Sequence, residues 1–198
     1  MTLSLFRSPV SGLTILPVRA SAPEIAAAIT EVAAVSPFRH QVTPGGGVMS
    51  VAMTSCGDVG WVTDRRGYRY DPIDPETSKP WPPMPAAWRA LAEECAAVAG
   101  FRGFAPDACL VNRYEVGARM GLHQDKDEAD FSHPIVSVSL GASAVFLWGG
   151  VTRTERPEKV ELHHGDVVVW GGGARLRFHG VAPMKAGVRH NLTFRRAR

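Results

Sequence analysis

The sequence predicts a mainly β chain with helices, α+β in class, in which N-terminal helices and loops cover a C-terminal jelly roll. Three observations lead there. Beyond Asp107 the chain breaks into seven short β-type runs with turn residues between them, the pattern of an antiparallel sandwich or barrel. Helical spacing is confined to two stretches in the first half. No internal repeat and no dinucleotide-binding glycine motif is present, since Gly171-Gly172-Gly173 follows a strand but lacks the spacing and the helix that such a loop needs. At 198 residues the chain suits a single domain, 1–198, able to bury a core of its own.

Taken in order, Leu13 to Val18 reads as a short strand. Ser21-Ala22-Pro23-Glu24 has the form of a capping box with proline in the first turn, so a helix is expected from there to Val35, stopped by Ser36-Pro37. Pro44-Gly45-Gly46-Gly47 is a turn before an alternating strand, Val48 to Thr54. Gly60 to Tyr70 interleaves Trp61, Tyr68 and Tyr70 with Arg65, Arg66 and Arg69, a mixture that suits both the base faces and the phosphates of nucleic acid. The six prolines between Asp71 and Pro85 imply a semi-rigid coil. From Pro85 to Val98, Trp88, Leu91, Ala92, Cys95 and Ala96 fall at helical spacing, with Gly100 as the stop. The seven runs that follow are Ala108–Tyr114, Pro134–Leu140, Ala144–Trp148, Lys159–His163, Asp166–Trp170, Arg175–Val181 and Arg189–Arg196.

Apolar residues make up 45% and charged residues 21% of the chain, which excludes wholesale disorder. A formal charge of +3 permits a polyanionic partner without requiring one. Cys56, Cys95 and Cys109 are odd in number and contain no Cys-x-x-Cys pair, so neither a disulfide framework nor a zinc ribbon is expected, and reduced thiols in a cytoplasmic protein are. No apolar window is long enough to span a bilayer and no secretory leader is recognisable, so no membrane partner is expected.

Gly121 to Glu128 holds the most informative chemistry. In extended backbone, residues i and i+2 share a face, so His123 and Asp125 can grip one cation. With a distant histidine, for which His179 is the candidate, they would form the two-histidine, one-carboxylate triad of non-haem Fe(II) oxygenases. A lone His-x-Asp in a polar loop is more often a solvated turn. Among His40, His133, His163, His164 and His190, the pair His163-His164 beside Asp166 is the serious competitor. Adjacent strand residues point to opposite faces, which argues against that pair. In Arg189 to Arg195, the residues Arg189, Asn191, Thr193 and Arg195 alternate on one face. Two inward guanidiniums would call for anions, such as a small dicarboxylate, while the alternative is a solvated terminal strand.

Asn112-Arg113-Tyr114, His123 to Glu128, Pro134 to Gly141, His164-Gly165-Asp166-Val167, His179-Gly180 and Arg189 through Arg195 together resemble the bacterial AlkB family of DNA-repair dioxygenases. The resemblance runs from about Gly57 to Arg196. It implies a double-stranded β-helix (jelly roll), with about residues 108–196 as catalytic core and about 40–85 as a nucleotide-recognition lid. It implies Fe(II) on His123, Asp125 and His179, with 2-oxoglutarate and O2 as co-substrates. Arg189, helped by Tyr114 and Asn191, would take the distal carboxylate of 2-oxoglutarate, Asn112 and Arg195 would lie near its other end, and Met120 and Ser137 would line the pocket. Trp61 and Tyr68 match base-stacking and lid positions, Asp127 a substrate-contacting acid and Arg153 another substrate position; Arg65, Arg66, Arg69 and Lys126 are candidates for phosphates.

The activity so implied is oxidative demethylation of 1-methyladenine and 3-methylcytosine in DNA, single-stranded above all, with double-stranded DNA or RNA as alternatives, by a monomer that releases formaldehyde and succinate. The same chemistry on a protein or small-metabolite substrate is the alternative enzyme reading, and a catalytically silent nucleic-acid-binding module is the alternative of another class. One departure stands out: only nine residues separate His179 from Arg189, a short connection in which Pro183-Met184-Lys185 reads as a tight turn.

Overall fold

The structure is a computed structural model that describes residues 11–20 and 22–198. It opens with strand β1 (Thr14–Leu16) and helix α1 (Pro23–Val35). Proline sits at the start of α1, but the N-cap is Ala22, with no side-chain capping bond; the expected cap at Ser21 lies outside the described residues. Two strands, β2 (Arg39–Val42) and β3 (Val48–Gly57), precede the arginine-aromatic segment. That segment folds as a hairpin of β4 (Gly60–Asp64) and β5 (Gly67–Asp71), turning at Arg65-Arg66. The proline-rich coil contributes only a two-residue ladder, β6 (Ile73–Asp74) with β7 (Lys79–Pro80), before helix α2 (Ala86–Val98). Gly100 follows α2 at φ +96°, the left-handed conformation that ends helices and favours glycine.

The remaining strands are β8 (Ala108–Tyr114), β9 (Met120–His123), β10 (Ile135–Gly141), β11 (Ala144–Trp148), β12 (Glu158–Leu162), β13 (Val167–Trp170), β14 (His179–Val181) and β15 (Arg189–Arg195). Strand β9 is an addition to the seven expected. The run expected from Arg175 begins as strand only at His179, because Gly172–Ala174 forms a 3₁₀ turn and Arg175 is drawn into a buried ion pair. Between β14 and β15 the reversal falls at Ala186-Gly187, where Gly187 has φ +68°, and not at Pro183-Met184-Lys185. Met184 is buried instead, its N–H bonded to the Ala118 carbonyl and its carbonyl accepting from Gly117.

Two antiparallel sheets form the jelly roll. The larger has seven strands in the order β1-β13-β10-β15-β8-β3-β2 and the smaller four, β12-β11-β14-β9. The N-terminal strands thus extend the larger sheet as well as lying beside it. Side chains of the large sheet alternate between two cores. Val111, Val136, Val138, Leu192 and Phe194 pack outward against Ile25, Ile29 and Val32 of α1 and Trp88, Ala92 and Cys95 of α2. Leu110, Tyr114, Ile135, Val168 and Trp170 face the small sheet, meeting Phe146, Trp148, Val160, Leu162 and Val181. The layers are therefore helices, large sheet and small sheet, and the valine-rich runs of β10 and β13 follow from burial on both faces. Trp88 joins the layers: its indole N–H donates to the Ile25 carbonyl at 2.9 Å and its ring meets Phe194 edge-on at 6.4 Å.

All three cysteines are buried free thiols. Burial pushes the Cys95 thiol up to about 12 and Cys109 well above its usual range, which keeps them protonated and inert. Among the described residues no helix is long and apolar enough to cross a membrane.

The proline-rich coil is anchored by one buried carboxylate. Asp74 accepts from both terminal nitrogens of Arg39 and, at 2.6 Å, from Ser36 just beyond α1. Burial alone would raise the Asp74 pKa, but the bonds from Arg39 and Ser36 outweigh it and leave the carboxyl below its usual value. A depressed carboxylate adds stability above its unfolded pKa, and that stability is lost as pH falls through the folded value. Asp74→Asn should therefore cost on the order of 3–5 kcal/mol at neutral pH, read by chemical denaturation, and the gap to the parent protein should narrow below about pH 4. An equal gap at neutral and acid pH would show that the charge of Asp74 contributes nothing.

Candidate active site

Between the two sheets lies a cavity of about 50 Å³, room for roughly three to five waters. Its floor comes from three adjacent strands of the large sheet. The register sets Asn191 of β15 opposite Asn112 of β8 on one side and Ser139 of β10 on the other. Because side chains alternate, Arg189, Asn191, Thr193 and Arg195 all turn inward while Leu192 and Phe194 turn to the helices. Arg189 is 1% exposed and Arg195 6%, so this face is not solvated. Asn112, Tyr114, Met120 and Ser137 line the same cavity, so all seven residues read as co-substrate contacts are brought together. Leu110, Phe146, Trp170 and Thr193 also line it and were missed. Thr193 was visible in the strand alternation, whereas Phe146 and Trp170 carried no signal separating them from ordinary core.

The small sheet closes the cavity with histidines. Cross-strand pairing of β14 with β9 sets His179 opposite His123, their rings 4.4 Å apart. Gly180 is what allows this approach, because a Cβ there would stand 2.6 Å from the Met120 carbonyl oxygen. Asp125 follows two residues after His123, its carboxylate oxygens 3.6 Å from Nε2 of each ring. The ligand atoms of these three residues all lie within 4.8 Å of one another.

Hydrogen bonding decides the tautomers. Nδ1 of His123 lies 2.9 Å from the Gly121 carbonyl and Nδ1 of His179 lies 3.1 Å from that of Arg177. A carbonyl only accepts, so each Nδ1 carries the proton and each Nε2 presents a lone pair. Burial, reinforced by His179, lowers the His123 pKa to about 4, which keeps the ring neutral. Two lone pairs and a carboxylate therefore converge on one point, an arrangement that a divalent cation satisfies. Burial works against the Asp125 charge, but Arg195, donating from Nη2 at 2.9 Å and Nε at 3.2 Å, and the neighbouring His179 hold the carboxyl well below its usual range. His163 and His164 stand elsewhere, with Nδ1 of the first beside the Ser143 hydroxyl and that of the second accepting from the Gly141 N–H.

Arg189 lies at the far end of β15 from Arg195. Its Nη2 donates to the Ser139 hydroxyl at 2.9 Å and its guanidinium lies over the Tyr114 ring, but Nε and Nη1 are buried with no hydrogen-bond partner among the described residues. Burial lowers its pKa. The side-chain carbonyl of Asn112 is likewise unpartnered. A buried fork of unsatisfied donors fits a small carboxylate.

In the β4–β5 hairpin, Trp61 of β4 stacks on Tyr68 of β5 at 5.6 Å and 17°, and Tyr68 is 49% exposed. The Trp61 indole N–H donates to Asp127 at 2.8 Å. Gln41 of β2 ties β4 to the sheet, donating to the Trp61 carbonyl and accepting from the Thr63 N–H. Arg66 and Arg69 are both paired to Asp64. Arg153 stands apart in the loop after β11, its guanidinium over the Phe178 ring at 5.9 Å.

The family model described as the 2OG-Fe(II) oxygenase superfamily matches residues 12–195. The Escherichia coli (strain K12) alpha-ketoglutarate-dependent dioxygenase AlkB is 56% identical over 176 residues, 85% of this chain and 82% of that one. The chain belongs to the AlkB family of 2OG-Fe(II) oxygenases. Its fold also matches the solved structure of OsALKBH1, with a TM-score of 0.80 and 28% identity over 93% of this chain and 96% of that one. The mouse nucleic acid dioxygenase ALKBH1 is 38% identical over 122 residues, 61% of this chain and 31% of that longer protein. Fe(II), 2-oxoglutarate and O2 are accordingly the cofactor and co-substrates of this AlkB-family enzyme, and the donor set described above fits both groups.

A buried guanidinium with two unsatisfied nitrogens burdens the ligand-free protein. Arg189→Met should therefore leave the melting temperature of the protein without 2-oxoglutarate unchanged or higher, as followed by differential scanning calorimetry. A fall of several degrees would mean that the fold itself satisfies Arg189.

Proposed function

We propose that this protein is an oxidative demethylase of alkylated nucleobases that acts on 1-methyladenine and 3-methylcytosine, chiefly in single-stranded DNA, with double-stranded DNA and RNA as further substrates. It works as a monomeric cytoplasmic enzyme of one domain, 1–198, with about residues 40–85 as its nucleotide-recognition lid and about 108–196 as its catalytic core. One observation carries the reading: a single cavity in an AlkB-family chain joins the two histidines of the three-acceptor cluster to a buried arginine fork with unsatisfied donors.

His123, Asp125 and His179 would hold Fe(II). Arg189, with Tyr114 and Asn191, would bind the distal carboxylate of 2-oxoglutarate; Asn112 and Arg195 would face its other end, and Met120 and Ser137 would line its sides. Bound there, the iron, 2-oxoglutarate and O2 supply the oxidation of the substrate methyl group, with succinate, carbon dioxide and formaldehyde as products. The protein's own task is positioning. Arg195 keeps Asp125 ionised and oriented. The two backbone carbonyls fix both histidine tautomers. Apolar walls at Leu110, Phe146 and Trp170 exclude water.

A methylated base inside a duplex must be flipped out to reach such a pocket. The Trp61-Tyr68 platform offers it a stacking face that tolerates different bases. Asp127 presents a carboxylate to a base made cationic by methylation; its present donor, the Trp61 indole, would share it with the base. Arg153 would meet the substrate from the loop after β11. Arg66 and Arg69 are neutralised locally by Asp64, so Arg65 and Lys126 suit phosphates better. The stacked aromatics, with Tyr68 exposed, also argue against a protein side chain or a small metabolite as substrate, since neither needs a platform of this breadth.

The test is to incubate oligonucleotides carrying 1-methyladenine or 3-methylcytosine with the protein, Fe(II), ascorbate and 2-oxoglutarate. Repaired base, formaldehyde and succinate should appear in equal amounts. Asp125→Ala should abolish iron-dependent turnover, while Trp61→Ala should lower kcat/KM for the oligonucleotide roughly 5- to 150-fold, the value of one lost base-stacking contact, and spare iron binding. Succinate without formaldehyde, on every methylated oligonucleotide, would move the reaction to another substrate.

A further inference from the structure

Glu128 closes the His123 to Glu128 run and is unused by the roles described so far, yet it is 6% exposed and fully engaged. A buried carboxylate is retained only with partners, and Glu128 has three, from three parts of the chain. Its Oε1 accepts from the Tyr70 hydroxyl of β5 at 2.7 Å and lies 3.3 Å from Nε of Arg195 in β15. Its Oε2 accepts from Nη2 of Arg175 at 3.0 Å.

Each partner leads somewhere specific. Arg195 holds the Asp125 carboxylate through Nη2 and Nε. Arg175 donates from Nη1 to the Asp125 carbonyl at 2.7 Å and from Nε to the His133 carbonyl at 3.1 Å, so it clamps both ends of the loop that carries Asp125, Asp127 and Glu128. Tyr70 is the direct cross-strand partner of Trp61, so the atom that anchors β5 also sets the base platform. Burial above all raises the Tyr70 pKa well beyond its usual value, so the phenol stays protonated and donates. The neighbouring bond from Trp61 to Asp127 is exposed, which leaves the part-buried Tyr70–Glu128 bond as the better shielded of these two ties between hairpin and loop.

We propose that Glu128 is a positioning residue that registers the recognition hairpin against the metal-binding loop: one carboxylate fixes the height of the Trp61-Tyr68 platform above the His-Asp-His cluster and steadies Arg195 against Asp125. This rests on the demethylase reading, because registration matters only if a base held by the hairpin must meet the oxidant at the cluster. Loss of registration leaves 2-oxoglutarate consumption intact and displaces the methyl group, so turnover becomes uncoupled.

Tyr70→Phe removes only the hairpin tie. Glu128→Gln keeps an acceptor oxygen for Tyr70 but loses the charge that faces Arg175 and Arg195. In the iron-loaded full chain acting on a 3-methylcytosine oligonucleotide, both variants should form less formaldehyde than succinate. Tyr70→Phe should leave the KM for 2-oxoglutarate unchanged, and Glu128→Gln should raise it. In the metal-free protein, hydrogen exchange of the amides in residues 60–71 should quicken roughly tenfold or more in Tyr70→Phe, while those of β8 and β15 hold.

Equal formaldehyde and succinate in both variants, with hairpin exchange unchanged, would overturn the proposal. So would a parallel loss of both products at constant ratio, which is the mark of general destabilisation. Should Glu128→Gln fail to fold, Tyr70→Phe alone decides. If the parent protein makes no formaldehyde from methylated DNA, the demethylase reading fails, and the exchange experiment still reports whether Glu128 holds the hairpin.

Discussion

The two-residue alternation of β15, held between β10 and β8 in the middle of the large sheet, is the constraint on which the rest of the structure depends. Hydrogen bonding on both edges leaves the strand no freedom to rotate or slip, and a slip by one residue would exchange its faces. Leu192 and Phe194 are locked toward the helices by the core they share with Trp88. Arg189, Asn191, Thr193 and Arg195 must then face the small sheet, whatever the cost of burying two guanidiniums there. The apolar side of the strand thus positions the polar side.

That cost is met differently at the two ends. Arg195 is compensated within the protein: burial works against its charge, but Asp125 and Glu128 outweigh it and raise its pKa above the usual arginine value. Arg189 lacks a carboxylate partner and its pKa is lowered by burial. Two arginines six residues apart on one face therefore do different jobs. One belongs to the architecture of the metal-type cluster, and the other is left open to a ligand that brings its own negative charge.

The hairpin that carries the aromatic platform is a two-stranded sheet of its own, separate from the seven- and four-stranded sheets. Bonds that attach it include those of Gln41 to the backbone of β4, Trp61 to Asp127, Tyr70 to Glu128, Thr63 to the Val42 carbonyl and Trp81 to the Asp71 carbonyl. Apolar packing adds to these bonds, with Val62 3% exposed, Trp61 against the core between the sheets and Tyr70 against Val59, Ala108 and Ala197.

Composition and periodicity determined the class of the chain, its two helices and most strand positions, because alternation and helical spacing record which side is buried without reference to the partner. Spacing brought His123 and Asp125 to one face, with His179 as candidate third ligand and two guanidiniums on the last strand as candidates for anions, and the resemblance of the motifs to the AlkB family joined them into one site with expected roles. The sequence could not separate a solvated Arg189–Arg195 face from a buried one, since that depends on whether another sheet covers it. It assigned Glu128 nothing and read the segment around Tyr70 only as composition, because the bond joining them spans 58 positions. It placed the turn before β15 at Pro183-Met184-Lys185, although the packing of Met184 moves the reversal to Gly187. Local pattern decides which residues point together along one strand; only the tertiary structure decides what stands opposite them, because partners in the buried charge network come from segments far apart in the chain.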